Sequence, residues 1–196
     1  NGRFRFGIGV SHGPALKARG LEGGKPLSDI RSFVSELKEA PRVGELPPLI
    51  LAAMRKKMIA LAGEIGNGMV FANAARSHMR ESLDVLSAST KDDINFFIGN
   101  MIPTCISEDV EAAKAVNRKT LTSYAMLPNY RNYWKEAGYV EEMEGIEKAI
   151  EAKEFDRIPH FLTDTWLHDT TLFGNPTSVR DGLEAWFDSG IKTPIL

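Results

Sequence analysis

Short apolar runs alternate along the chain with longer segments in which apolar residues recur every three or four positions. The apolar runs lie at residues 4–10, 49–53, 69–74, 94–102 and 192–196. They are too continuous to alternate with polar residues, and strands of this kind are buried on both faces of a parallel sheet. The pattern therefore predicts an α/β fold, with a strand and a helix repeated about four times before a closing strand.

The segments between the strands carry helix start and stop signals. A long helix is predicted from Ser107 to Leu127, with Ser107 as its N-cap and Pro128 as its stop. The last helix is predicted to be capped by Thr177 or Ser178. Residues 129–170 are predicted to form several short helices, an excursion within a single domain of residues 1–196.

Two architectures fit this alternation, an open doubly wound sheet and a closed (β/α)8 barrel. A closed barrel usually takes about 250 residues. Five strands in 196 residues are few for a barrel but enough for an open sheet. The count alone therefore favours the open sheet.

Composition narrows the class of protein. With 24 Lys and Arg against 26 Asp and Glu, the net charge is −2, so no wholesale attraction to nucleic acid or to a membrane surface is predicted. No run reaches the roughly 20 apolar residues of a membrane span. The single cysteine, Cys105, cannot form an internal disulfide, which fits a reducing cytoplasm. A cytoplasmic location is the resulting expectation.

Three segments resemble the bacterial luciferase-like monooxygenase family. GRFRFGIGVSHG resembles its fourth strand, KKMIALAGEIGNGMVF its fifth helix and sixth strand, and LFGNPTSVRDGLEAWFDSGIKTPIL its closing segment. They follow the order of the family and together span nearly the whole chain. The family fold is a (β/α)8 TIM barrel, so the resemblance reverses the preference for an open sheet. It implies that this chain covers about strands four to eight, with the N-terminal part of the barrel absent.

The resemblance also implies an oxidoreductase that uses a flavin or a deazaflavin. FMN enzymes of the family bring reduced flavin to oxygen and oxygenate a substrate, whereas coenzyme F420 enzymes transfer a hydride. FMN and F420 both remain open, and the substrate is an unknown small organic molecule. A homodimer, and a flavin reductase that supplies reduced flavin, are the implied partners. The alternative is a non-catalytic barrel fragment that binds no cofactor and persists by self-association through open sheet edges.

The active face of such a barrel lies at the carboxyl ends of its strands, and the first strand is followed there by Gly9, Val10, Ser11 and His12. Glycine lets the backbone approach a ligand closely, and histidine can move a proton near neutral pH. The resemblance implies cofactor contacts for these four residues and a proton-transfer role for His12. Without the resemblance, a turn that requires glycine and carries an exposed histidine explains the same residues.

A second candidate loop follows the strand at 49–53. Ala53, Met54, Arg55, Lys56 and Lys57 lead into a helix, which places three cations at a helix N-terminus. The helix dipole disfavours cations there, but a bound phosphate would suit both the cations and the dipole. The resemblance implies that this loop holds the phosphate of the cofactor.

A third loop, after the strand at 69–74, offers Asn73, Arg76 and His78 as contacts to an anionic substrate. Ser77 in the same loop is predicted to be an ordinary N-cap. No metal site is predicted, because the four histidines lack metal-ligand spacing.

Two further groups are predicted to be structural. Cys105, on the loop after the strand at 94–102, has no base that the sequence can place beside it. The aromatic residues Tyr130, Tyr133 and Trp134 are predicted to pack in the core or in an interface.

Overall fold

The computed structural model describes residues 3–11, 13–41 and 44–196. These residues form seven strands: β1 (Phe6–Ile8), β2 (Leu49–Ala52), β3 (Gly68–Ala72), β4 (Phe97–Met101), β5 (Thr104–Ile106), β6 (Leu172–Gly174) and β7 (Thr193–Ile195). Their helices are α1 (Gly13–Ala18), α2 (Pro26–Glu39), α3 (Lys56–Ile65), α4 (Met79–Leu83), α5 (Ala88–Asp92), α6 (Val110–Ala125), α7 (Pro128–Glu136), α8 (Val140–Glu151), α9 (Ile158–Phe161), α10 (Asp164–Thr170) and α11 (Pro176–Asp188).

The chain divides into two compact units. Unit 1 comprises Asn1–Val70 and Ser82–Ile98, and unit 2 comprises Phe71–Glu81 and Gly99–Leu196. Strands β3 and β4 each begin in unit 1 and end in unit 2.

The main sheet has the strand order β1-β2-β3-β4-β7. Within unit 1, β1 pairs in parallel with β2 and β2 in parallel with β3; within unit 2, β4 pairs in parallel with β7. Each of the five apolar runs singled out in the sequence overlaps one of these strands, and only β3 begins outside its run, one residue earlier at Gly68. The predicted α/β fold with a parallel sheet is therefore confirmed.

The core of unit 1 forms around β2, whose residues Leu49, Ile50 and Leu51 are all buried. Helix α2 buries Ile30 and Val34, four residues apart on one face, as expected for an amphipathic helix.

The core of unit 2 contains the largest buried side chains. Trp134, Trp166 and Trp186 have no exposed surface, and the rings of Trp134 and Trp166 meet edge to face with centroids 4.8 Å apart. Tyr130 and Tyr133 are also buried. The prediction that this aromatic cluster packs in the core is confirmed.

Two short strands were not predicted from the sequence. β5 and β6 form a separate parallel pair in which Cys105 lies opposite Phe173. Cys105 therefore lies in a strand and not on a loop, and that expectation was wrong. Strands of three residues are too short to show a period, and β5 follows β4 after only two residues.

The predicted helix caps were also wrong. The N-cap of α6 is Asp109, whose side chain accepts a hydrogen bond from the amide of Ala112, whereas the Ser107 hydroxyl accepts one from the amide of Asp109. The N-cap of α11 is Asn175. In each case another residue of a type that favours the N-cap position lies nearby and forms the cap instead.

Pro128 marks a helix start as well as a helix end. α6 ends at Ala125, and Pro128 occupies the first turn of α7, a position where its missing N–H costs nothing. From there to residue 170 the chain forms α7, α8, α9 and α10.

Candidate functional site

Two loops leave the same edge of the sheet in unit 1. Ile8 pairs with Leu51, so the residues after β1 and the residues after β2 extend from neighbouring carboxyl ends. A Cβ atom placed on Gly9 would lie 3.0 Å from the Cβ of Ala52, and glycine thus permits this close approach.

The loop after β1 presents its side chains to solvent. Gly9, Val10 and Ser11 are exposed, and α1 begins at Gly13. His12, the predicted proton-transfer residue, lies outside the described residues.

The loop after β2 continues the sheet pairing before it turns into α3. The amide of Ala53 donates to the carbonyl of Val70 at 3.0 Å, and Ala53 is 2% exposed. Met54 is half-buried. This pairing fixes the backbone just ahead of the cationic residues.

The N-terminus of α3 has features that favour the binding of an anion. Arg55 is the N-cap residue and makes no side-chain cap hydrogen bond, and the helix runs for ten residues from Lys56. Arg55, Lys56 and Lys57 are all exposed. The first turn of a helix presents backbone N–H groups and the positive end of the dipole, which favour an anion. Three adjacent cations strengthen that preference.

In unit 2, two buried amide groups lie near the ends of β3 and β4. Asn73 has a φ of 57° and is 3% exposed. Its backbone N–H donates to the backbone carbonyl of Met101 at 2.9 Å, and its backbone carbonyl accepts a hydrogen bond from Trp134 Nε1 at 3.0 Å. Asn100 is fully buried, and its Oδ1 accepts from the amide of Ala74 at 3.3 Å.

Both side-chain nitrogens, Asn73 Nδ2 and Asn100 Nδ2, lack a hydrogen-bond partner among the described residues. A buried donor without a partner costs about 1–3 kcal/mol, so these nitrogens favour an acceptor such as a carbonyl or a water molecule. Asn100 was not a candidate from the sequence. The signal for it was an amide in an otherwise apolar strand.

His78 is enclosed by its neighbours. It is 8% exposed, its ring meets Tyr133 edge to face with centroids 5.8 Å apart, and its Nδ1 lies 3.4 Å from Glu81 Oε2. Arg76, in contrast, is half-buried beside an open pocket that His78 does not line.

The sequence predicted Ser77 to be an N-cap, and this prediction was wrong. Ser77 is instead a hydrogen-bond partner of Asp169. Its amide donates to Asp169 Oδ1 at 2.8 Å and its hydroxyl donates to Asp169 Oδ2 at 2.6 Å. Tyr139 Oη also donates to Oδ2, at 2.9 Å. Burial, followed by the nearby charge of Asp169, raises the pKa of Tyr139 well above its usual value, so the phenol stays protonated and donates.

This carboxylate forms one wall of an open pocket in unit 2, which we name the Arg76 pocket. It has a volume of about 330 Å³. Its polar lining includes Arg76, Ser77, Arg80, Asp169, Asp188 and Ser189.

The residues that the structure describes contain no group of three or more His, Cys, Asp or Glu side chains arranged to hold a metal ion. None of their helices combines the length and the apolar character needed to span a bilayer.

The sequence model of one protein family, the luciferase-like monooxygenases, matches residues 1–193. The chain belongs to this family. A search of curated protein sequences found no significant match.

Solved structures with a similar fold include two F420-dependent enzymes. The first is the coenzyme F420 dependent tetrahydromethanopterin reductase from Methanopyrus kandleri, with a TM-score of 0.73 and 16% identity over 96% of this luciferase-like chain. The second is an F420-dependent secondary alcohol dehydrogenase in complex with an F420-acetone adduct, with a TM-score of 0.54 and 14% identity over 78% of this chain. The matched regions span 66% and 43% of those two proteins. At these identities the likeness shows the fold alone.

Proposed function

We propose that this luciferase-like protein is an oxidoreductase that uses reduced FMN or coenzyme F420 on a small organic substrate. The observation that carries the proposal is the N-terminus of α3, where Arg55, Lys56 and Lys57 are adjacent and the N-cap residue Arg55 makes no side-chain cap hydrogen bond. It lies at the carboxyl edge of β2, the edge at which α/β enzymes bind their ligands.

This N-terminus fits the phosphate that FMN and F420 both carry. Arg55, Lys56 and Lys57 are electrostatically disfavoured at the positive end of a helix, and a bound phosphate would offset that cost. Phosphate also accepts hydrogen bonds from the backbone N–H groups of a first helical turn. The neighbouring Gly9 lets the loop after β1 lie close to Ala52, just ahead of this N-terminus.

We further propose that the five strands of the main sheet correspond to strands four to eight of a (β/α)8 barrel. The order β1-β2-β3-β4-β7 never reverses along the chain. A doubly wound sheet reverses its order at a switch point, whereas a barrel adds its strands in sequence. The strand order thus supports the barrel.

The chain's own part in the reaction would be to hold and orient. Bound flavin or deazaflavin supplies the reducing equivalents. Gly9, Val10 and Ser11 would contact its ring system, and His12 would move a proton.

For the substrate we propose Asn73 as a hydrogen-bond donor, because its buried side-chain nitrogen lacks a partner among the described residues. Arg76 and His78 remain predicted substrate contacts.

F420 is the first cofactor to test, because both solved structures named above are described as F420-dependent. The test is a fluorescence titration of the purified protein with F420 and, separately, with FMN. The phosphate proposal predicts that Lys56→Ala and Lys57→Ala each raise the Kd about tenfold, as the loss of one charge-assisted hydrogen bond would. Lys38→Ala, an exposed lysine in the last turn of α2, should leave the Kd unchanged.

Each outcome of this titration has a definite meaning. Saturable binding of one cofactor, weakened by the two α3 variants alone, supports the phosphate site and selects the branch of the family. Equal binding by all variants would place the phosphate elsewhere. Binding of neither cofactor would favour the non-catalytic alternative.

A further inference from the structure

The lining of the Arg76 pocket includes two cationic side chains, Arg76 and Arg80. Arg76 and Arg80 are four residues apart and line the same pocket. Within the described part of the chain, no Asp or Glu lies within ion-pair distance of either guanidinium. Two guanidinium groups beside one pocket repel each other unless an anion lies between them, and their planar N–H groups suit a carboxylate.

The lining also carries carboxylates, Asp169 and Asp188. Asp188 is the last residue of α11, where the partial negative charge of the helix end disfavours a carboxylate. Asp188 is exposed and forms no ion pair with any described residue. A cationic group of a ligand would pair with Asp188 and would also offset the unfavourable position of this carboxylate at the helix end.

The other polar side chains that line the pocket already form hydrogen bonds within the protein. Asp169 accepts hydrogen bonds from Ser77 and Tyr139, as described above, and the Ser189 hydroxyl donates to the carbonyl of Trp186 at 2.7 Å. These hydrogen bonds come from neutral donors and do not cancel the charge of Asp169, so the lining carries two arginines and two carboxylates, of which Asp188 is the exposed one.

We propose that the Arg76 pocket binds a small zwitterionic ligand with a carboxylate and an ammonium group, as in a free amino acid. The carboxylate lies against Arg76 and Arg80, and the ammonium group lies against Asp188 and the C-terminal end of α11. A simple anion would meet the repulsion of Asp188, and a simple cation that of the arginines, so neither matches the pocket. The volume of about 330 Å³ is within the range of small-molecule sites. All lining residues belong to unit 2, and the inference does not depend on the cofactor proposal.

The test compares three related probes: L-alanine, propionate, which lacks the ammonium group, and ethylamine, which lacks the carboxylate. Binding is followed by ¹H–¹⁵N correlation spectra of the whole protein, with the amides of Ser77 and Ser189 as reporters at the pocket. We expect saturable shifts with L-alanine and a Kd about tenfold higher for each of the other probes.

The variants separate the contribution of the arginines from that of Asp188. Arg76→Gln should weaken L-alanine about tenfold and weaken propionate too. Asp188→Asn should weaken L-alanine about tenfold but strengthen propionate, because it removes the repulsion of the anion. A purely structural role for Asp188 would not produce these opposite signs. The matched controls on the exposed part of α11, Arg180→Gln and Asp181→Asn, should change neither affinity.

Three results would overturn the proposal. Equal affinity for L-alanine and propionate would make the pocket a plain anion site. Shifts that persist unchanged in Arg76→Gln and Asp188→Asn would place the ligand elsewhere. The absence of any saturable shift with L-alanine would show that the pocket's charges do not recognise a zwitterion.

Discussion

Replacing Asp169 by asparagine tests how far one carboxylate holds the pocket wall of unit 2 together. Asp169 is 8% exposed and accepts three hydrogen bonds, two from Ser77 and one from Tyr139. In Asp169→Asn the shape is kept, but the charge is lost and an NH₂ group faces two hydroxyl donors.

The expected loss follows from the difference between charged and neutral hydrogen bonds. A bond to a charged group contributes about 1.5–3 kcal/mol and a neutral bond about 0.5–1.5, so three bonds lose about 3 kcal/mol in total. Relief from burying a charge offsets part of this. We therefore expect the free energy of unfolding to fall by about 2 kcal/mol.

Urea unfolding at neutral pH, followed by tryptophan fluorescence, measures this loss. All three tryptophans lie in unit 2, so the signal reports the unit that contains Asp169. The matched control is Asp181→Asn, an exposed aspartate on α11 that should change the free energy by less than about 0.5 kcal/mol.

Two further variants test whether the bonds act through Asp169. Ser77→Ala and Tyr139→Phe should each cost about 1 kcal/mol, and their effects should not be additive because both hydroxyls donate to the same Oδ2. If Asp169→Asn proves no more costly than Asp181→Asn, the carboxylate does not support this wall and the reasoning fails.

Three other predictions concern single positions. Gly68→Ala should destabilise the protein by about 2 kcal/mol or more, because its Cβ would lie 2.5 Å from the backbone of Phe97. Gly7→Ala, whose Cβ would have nothing within 4 Å, should be neutral or stabilising. The urea midpoints of the two variants measure this difference. Burial raises the pKa of Tyr130 to about 12, so the stability it contributes below pH 10 should fall as the pH rises from about 10 to about 12. Tyr139, whose pKa is also raised, should add to the fall over this range, so Tyr130→Phe should make the fall smaller without removing it in unfolding curves measured across the range. Asn175→Ala should cost about 1 kcal/mol as a lost N-cap of α11, and a thermal melt that shows no change would contradict the assigned cap.

The long periodic segments of the sequence predicted their own structure. Leu49 to Leu51 read as a buried strand and are one, and the Ile30 and Val34 spacing read as a helix face and is one. Burial of a continuous apolar run, or of one stripe of a helix, is a local demand that several side chains express together. The parallel sheet and the aromatic core followed from the same demand.

The short strands and the hydrogen-bond partners of individual polar residues could not be predicted from the sequence. Three-residue β5 and β6 show no period, and the choice of Asp109 over Ser107 as a cap depends on where the chain enters α6. Ser77 was predicted to be a cap because its partner Asp169 lies 92 residues away in the sequence.

The sequence by itself determined the α/β class, the five strands of the main sheet and the cationic start of α3, because each arises from residues that are neighbours in the chain. Only the tertiary structure decided that Asn73 and Asn100 are buried with unpartnered nitrogens, and that Arg76 and Asp188 line one pocket. These features join residues far apart in sequence, and no local pattern records a contact that exists only after the chain has folded.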